Sequence, residues 1–210
     1  MRAPGFSDAL DFSEVCTRVD SILGSFLDDQ ERIATAPDLE LFIELLREML
    51  SAGGKRIRPI LCVIGWHGVS EQDPPDVVFR MAASLELFHM FALIHDDVMD
   101  NSDLRRGRLT AHRVLANRHS DHPNAEALGA NGAILLGDLA LGWSYDLLGF
   151  DSQDNDFTVP WPVLNAMRTE TLIGQYLDLL CTGARVPDIE TAWQAIRYKT
   201  AKYSFERSSG

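Results

Sequence analysis

The sequence predicts an all-α protein, and three observations carry that prediction. Alternating β-branched runs are absent, and segments with helical apolar spacing follow one another. The stretch from Val77 to about Asp100 is apolar on nearly every face, which marks a central helix surrounded by others. The elements follow in order. Apolar positions recur at helical spacing from Leu39 to Leu50, and Gly53-Gly54 then supplies a helix stop. Pro59 suits the first turn of the next helix, which runs through "ILCVIGWHGV". Ser70 to Asp76 is a loop by composition, and the central helix follows it. Further helices are predicted over Asn124–Leu148, Asn165–Cys181 and Ile189–Arg207, with a polar loop at Gly149–Pro162.

With 210 residues, 46% of them hydrophobic, the chain suits one cooperative domain spanning 1–210. Nineteen basic against 31 acidic residues give a net charge of −12, which argues against nucleic-acid binding and against steering to anionic membranes. Cys16, Cys62 and Cys181 are far apart and lack metal-ligand spacing, as reduced thiols do. No signal-peptide pattern opens the chain, and no apolar run reaches the roughly 18 uninterrupted residues of a membrane span. The expectation is a cytoplasmic protein without an integral membrane segment.

The central helix ends in "LIHDDVMDNSDLRRG". Asp96 and Asp100, four apart, share one helix face, and Asp97 lies about 100° round from Asp96. Carboxylates this close repel one another, so a compensating positive charge is expected. A solvated helix end is the ordinary explanation of such a triplet. A Mg²⁺ ion shared with a phosphorylated ligand is the other, since Mg²⁺ favours one or two carboxylates plus phosphate oxygens. Arg105, Arg106 and Arg108 follow at once, either as local ion pairs or as forks for diphosphate oxygens. A second basic cluster, "GGKRIRP", sets Lys55, Arg56 and Arg58 beside two glycines that let backbone approach an anion. His89 precedes Asp96 by seven residues and falls within about 20° of its face. Together these features describe one diphosphate held on metal and another on basic side chains.

These residues resemble the trans-prenyltransferases, the isoprenyl diphosphate synthases. The resemblance rests on "GGKRIRP", "LELFHMFALIHDDVMDNSDLRRG", "GDLAL", "GQYLD" and "KTAKY" in that order, and it covers the chain from about residue 40 to its end. It implies an isoprenoid-synthase-type helical bundle around a central cavity, usually dimeric. It also implies Mg²⁺-assisted condensation of isopentenyl diphosphate with an allylic diphosphate. By that likeness Asp96 and Asp100 hold the metal with Asp97 in support, and Lys55, Arg58, His89 and Arg106 hold isopentenyl diphosphate. Arg105 and Lys199 match residues on the allylic diphosphate, and Thr200, Gln175 and Asp178 match cavity residues near the reacting centre. Phe91, five residues before Asp96, matches a position that limits product length, with Phe88 beside it. This points to a short product, geranylgeranyl diphosphate before farnesyl diphosphate. On the helix alone Phe91 lies about 140° from Asp96, and both rings read equally well as core packing.

The family's second Asp-Asp-x-x-Asp motif is not found in this sequence, which ends at Gly210 where the family continues. The expectation is therefore a synthase lacking its C-terminal helices; the alternative is a non-catalytic diphosphate-binding or regulatory partner subunit. A terpene cyclase shares the aspartate chemistry but has little need of the two basic clusters. Asp151 to Asp156 reads as a solvated loop. His119, Asp121 and His122 read as surface side chains rather than a zinc site.

Overall fold

The computed structural model describes residues 11–33, 36–52, 54–149, 160–182 and 189–198. Among them, eight helices and one small hairpin make up the regular structure: α1 (Phe12–Ile33), α2 (Pro37–Ser51), α3 (Ile57–Val69), α4 (Asp76–Met99), β1 (Leu104–Arg105), β2 (Arg108–Leu109), α5 (Ala111–Arg118), α6 (Ala125–Asp146), α7 (Trp161–Thr182) and α8 (Ile189–Ile196). The all-α expectation holds. Gly53, Lys199, Thr200 and the acidic run at 151–156 lie outside the described residues.

α1 is a helix that the sequence reading does not anticipate. Its inward residues Val15, Val19, Leu23 and Leu27 recur every fourth position, and Ile22 and Phe26 widen the apolar face that packs on the core. Asp11 caps it, its Oδ1 accepting the Ser13 N–H at 2.8 Å. α2 opens on Pro37 at its first positions, where a missing N–H leaves no bond unmade. α3 begins after Arg56 and buries Pro59 and Val63.

α4 is the axis of the fold. It packs against α1, α2, α3, α5 and α6, and residues on all its faces are buried, from Val77 and Phe79 to Phe91, Ile94 and Asp97. By length and hydropathy it could cross a membrane, but 78% of its most apolar window is buried inside the bundle, the setting of a core helix. α6 reaches α4 and α5 closely through small residues, Gly129, Ala133, Gly137 and Ala140. α7 and α8 pack together, and α7 turns Leu172, Ile173, Tyr176 and Leu180 outward.

The segment after α4 is the main local departure from the expected helices. Leu104 pairs with Leu109 and Arg105 with Arg108, antiparallel, around Arg106-Gly107. Both turn residues have positive φ, 54° and 78°, as a two-residue hairpin of the right twist requires. Thr110 ties the base, donating its hydroxyl to the Ser102 carbonyl at 2.7 Å, while the Ser102 N–H reaches the Asp97 carbonyl at 2.9 Å. Arg113 of α5 holds the same segment from outside through Asp103, at 2.7 Å, and also pairs with Glu126 at the start of α6.

Candidate active site

Two adjoining cavities line the C-terminal half of α4. The first, about 480 Å³, is bordered by Lys55, Arg58, Glu86, His89 and Arg106, so the two basic clusters face one space. Its loop–hairpin seam is close: a Cβ on Gly54 would lie 3.1 Å from the Arg106 guanidinium, so the absent side chain there makes room for the arginine. His89 is neutral in this setting. Burial first, then the charges of Arg58, Arg106, Arg105 and Arg56, press its pKa down to about 2.

The second cavity, about 210 Å³, is bordered by Arg58, Phe91, His95, Asp96, Thr171 and Gln175. Arg58 therefore stands between the two spaces. Asp96 is held from both sides: Gln175 of α7 donates to Oδ1 at 3.0 Å, and Arg105 Nη2 donates to Oδ2 at 3.1 Å. Phe91 is 3% exposed, its ring 4.8 Å from that of His95 and 5.5 Å from that of Phe88, which packs behind it. His95 in turn has its Nε2 3.1 Å from the Ile134 carbonyl of α6.

The three aspartates differ sharply. Asp97 is 1% exposed and its two oxygens accept from Arg105 Nε at 2.8 and 2.9 Å. Burial raises its pKa and the Arg105 charge opposes that rise. Asp96 is partly buried at the cavity edge, and Asp100 caps α4 with its side chain exposed. Asp96 and Asp100, an i, i+4 carboxylate pair, have the hard oxygen donors that Mg²⁺ takes together with phosphate oxygens. Asp97 is committed to Arg105. Asp178 lies half-buried on α7, one turn beyond Gln175, its carbonyl accepting the Thr182 hydroxyl at 3.0 Å. His119, Asp121 and His122 lie in an exposed turn, where His122 Nδ1 accepts the Asn124 N–H at 3.1 Å.

The polyprenyl synthetase family model matches residues 39–209, which takes in both cavities and the hairpin. The chain belongs to the polyprenyl synthetase family. It is 30% identical to the short chain isoprenyl diphosphate synthase of Methanocaldococcus jannaschii, over 89% of this chain and 49% of that one. It is 33% identical to the heterodimeric geranylgeranyl pyrophosphate synthase large subunit 1, chloroplastic, of Arabidopsis thaliana, over 70% of this chain and 38% of the relative. Among solved structures, a geranylgeranyl pyrophosphate synthase from Corynebacterium glutamicum, complexed with isoprenyl diphosphate and magnesium, superposes with a TM-score of 0.84 at 33% identity. The alignment covers 95% of this chain and 59% of that one. A decaprenyl diphosphate synthase from Rhodobacter capsulatus, 23% identical with a TM-score of 0.73, shares the fold. The chain spans about half the length of the curated relatives it matches. Those relatives are named as synthases, which does not favour the partner-subunit alternative.

Glu86, Asp20 and His95 of this polyprenyl synthetase site escape the sequence reading. Glu86 and Asp20 join Arg56 in a buried-to-surface ion cluster beside the first cavity, and His95 sits against Gly137, where an added Cβ would lie 2.3 Å from its Cδ2. Glu86 carried a readable signal, a lone acid inside an otherwise apolar helical run that calls for a buried partner.

Proposed function

We propose that the chain is a prenyl synthase domain that brings isopentenyl diphosphate and an allylic diphosphate together to form a short all-trans prenyl diphosphate, geranylgeranyl diphosphate in first place. The observation that carries the reading is the pairing of two unlike anion sites on one helix, a basic cavity and a carboxylate edge, with Arg58 between them.

Lys55, Arg58 and Arg106 supply the positive charge for the diphosphate of isopentenyl diphosphate, and neutral His89 supplies a hydrogen-bonding ring without adding charge. Asp96 and Asp100 are the residues that would hold Mg²⁺ against the allylic diphosphate. When bound, the metal neutralises charge on the departing group. Arg105 locks Asp97 and steadies Asp96, so that Asp96 meets its ligand in a fixed orientation. As the allylic C–O bond breaks, its electron pair leaves with the diphosphate, the isopentenyl double bond attacks the cation, and a proton is lost. The apolar walls near Phe91 shield the cation from water, and Phe91 limits the growing chain. Lys199, Thr200 and Asp178 complete this reading by resemblance.

Exposed Leu128 and Leu135 on α6 support a homodimer, and three free thiols support a cytoplasmic setting. The test is to incubate the chain with Mg²⁺, isopentenyl diphosphate and labelled dimethylallyl, geranyl or farnesyl diphosphate, and to resolve products by length. A discrete product that disappears in Asp96→Ala is expected. Unchanged turnover in that variant would refute the metal role.

A further inference from the structure

Arg56 sits in the middle of "GGKRIRP", between Lys55 and Arg58, yet its surroundings differ from theirs. Its backbone is left-handed, φ 45° and ψ 38°, at the position that caps α3. Three of the five N–H donors of its guanidinium meet protein acceptors. Nη1 donates to Glu86 Oε2 at 2.6 Å, and Nη2 donates to Asp20 Oδ1 at 2.7 Å and to the Leu50 carbonyl at 2.9 Å. Those three acceptors come from α4, α1 and the end of α2. One side chain thus ties three helices to the loop that presents Lys55 and Arg58.

Glu86 makes the arrangement more telling. It is 4% exposed, one turn before His89 on α4, and borders the cavity read above as a diphosphate site. A carboxylate in that place repels an anion, so on charge alone it should not be there. Its partner explains it: Arg56 offsets the buried Glu86 charge, and Glu86 and the exposed Asp20 together hold its fork. Arg56 also borders a neighbouring space of about 440 Å³ between α1 and α2, which makes it a wall residue.

We propose that Arg56, clasped by Glu86 and Asp20, is a positioning residue that sets the geometry of the diphosphate cavity and is not one of its ligands. The proposal rests on the diphosphate reading of that cavity. It makes a prediction opposite in sign to simple electrostatics. Removing the Glu86 charge should tighten anion binding by a few-fold if charge alone matters, or if the freed arginine joins the ligands. It should weaken binding if the clasp sets the loop.

The experiment is calorimetric titration of inorganic pyrophosphate into the chain in chelator without Mg²⁺, so that the carboxylate edge does not contribute. Wild type, Glu86→Gln, Asp20→Asn and Arg56→Lys are compared at a temperature where circular dichroism shows each folded. The expected result is weaker binding in Glu86→Gln by roughly tenfold and in the exposed Asp20→Asn by roughly threefold. Arg56→Lys, which keeps the charge and loses the fork, should also bind more weakly than wild type, and wild-type affinity in it would overturn the proposal. Asp20→Asn keeps the proposal testable should Glu86→Gln not fold. Unchanged or tighter binding in Glu86→Gln or Asp20→Asn would overturn the proposal. Failure of wild type to bind pyrophosphate would instead remove the diphosphate reading, and the proposal with it.

Discussion

Arg105 and Asp97 are joined by a fork in which one Nε–H reaches both carboxylate oxygens, at 2.8 and 2.9 Å, across the boundary between α4 and the hairpin. Asp97 lies almost fully buried, whereas Arg105 keeps a third of its side chain exposed. Removing the arginine strands a buried carboxylate. Arg105→Ala should therefore lose about 2 to 3 kcal/mol, below the full value for a deeply buried pair because Arg105 is partly solvated. Urea unfolding at pH 7 measures it, and a loss under 0.5 kcal/mol would contradict the pairing.

Asp97 also has a pH signature. Its folded pKa is raised, chiefly by burial, so its contribution is fully present below the unfolded carboxylate value and is lost as pH rises through the folded one. The stability of wild type relative to Asp97→Asn should therefore fall as pH rises above the unfolded carboxylate value of about 4. A difference that grows with pH would show that Arg105 outweighs burial.

His89 runs the other way. Its folded pKa is lowered to about 2, so its contribution is present above the unfolded value and is lost as pH falls below about 6.5. Between pH 7 and 5 wild type should lose about 2 kcal/mol more than His89→Gln. Equal losses in the two proteins would mean that His89 is not buried as a neutral ring.

Gly129 and Gly137 test how closely α6 approaches its neighbours. An added Cβ at Gly129 would lie 2.4 Å from the His112 carbonyl oxygen and 2.7 Å from the Ala116 nitrogen, both backbone atoms. At Gly137 the nearest atoms it would meet belong to the His95 ring. Gly129→Ala should cost about 3 kcal/mol and Gly137→Ala about 1 to 2, since a ring can turn and a helix backbone cannot. Thermal unfolding of the two variants gives the order, and the reverse order would count against it.

Phe91→Ala should lengthen the longest product by at least one five-carbon unit while costing about 3 kcal/mol or more in stability. Reversed-phase separation of dephosphorylated products reads the first effect and urea unfolding the second. An unchanged product distribution would leave Phe91 a packing residue like Phe88.

The helices with broad apolar faces were legible before any coordinates, α4 above all, because burial on every side leaves no polar face to break its pattern. α1 was readable too, since Val15, Val19, Ile22, Leu23, Phe26 and Leu27 follow helical spacing, but it lies before the motifs that drew the reading. The hairpin was hidden for another reason: two-residue strands carry no periodicity, and what shapes them is the left-handed turn at Arg106. Lys55, Arg58, His89 and Arg106 gather round one cavity, as the motif order implied. What spacing could not tell was which aspartate is buried. Asp96 and Asp97 are adjacent in the chain, yet Asp97 is buried against Arg105 while Asp96 stays at the cavity edge. Arg105, expected on the allylic diphosphate, is engaged with both of them.

Because α4 is a single unbroken helix, it acts as a measuring rod for the two anion sites. His89 and Asp96 are separated by seven residues, or about 10 Å along the axis at the helical rise. That length is fixed by the hydrogen-bonded helix and is independent of any loop. One extra residue between them would turn the carboxylate edge about 100° away from the basic cavity, while a four-residue insertion would restore the facing and move the edges apart by about 6 Å. The separation of the two reacting groups is thus counted in whole residues, and the chain can change it only in steps.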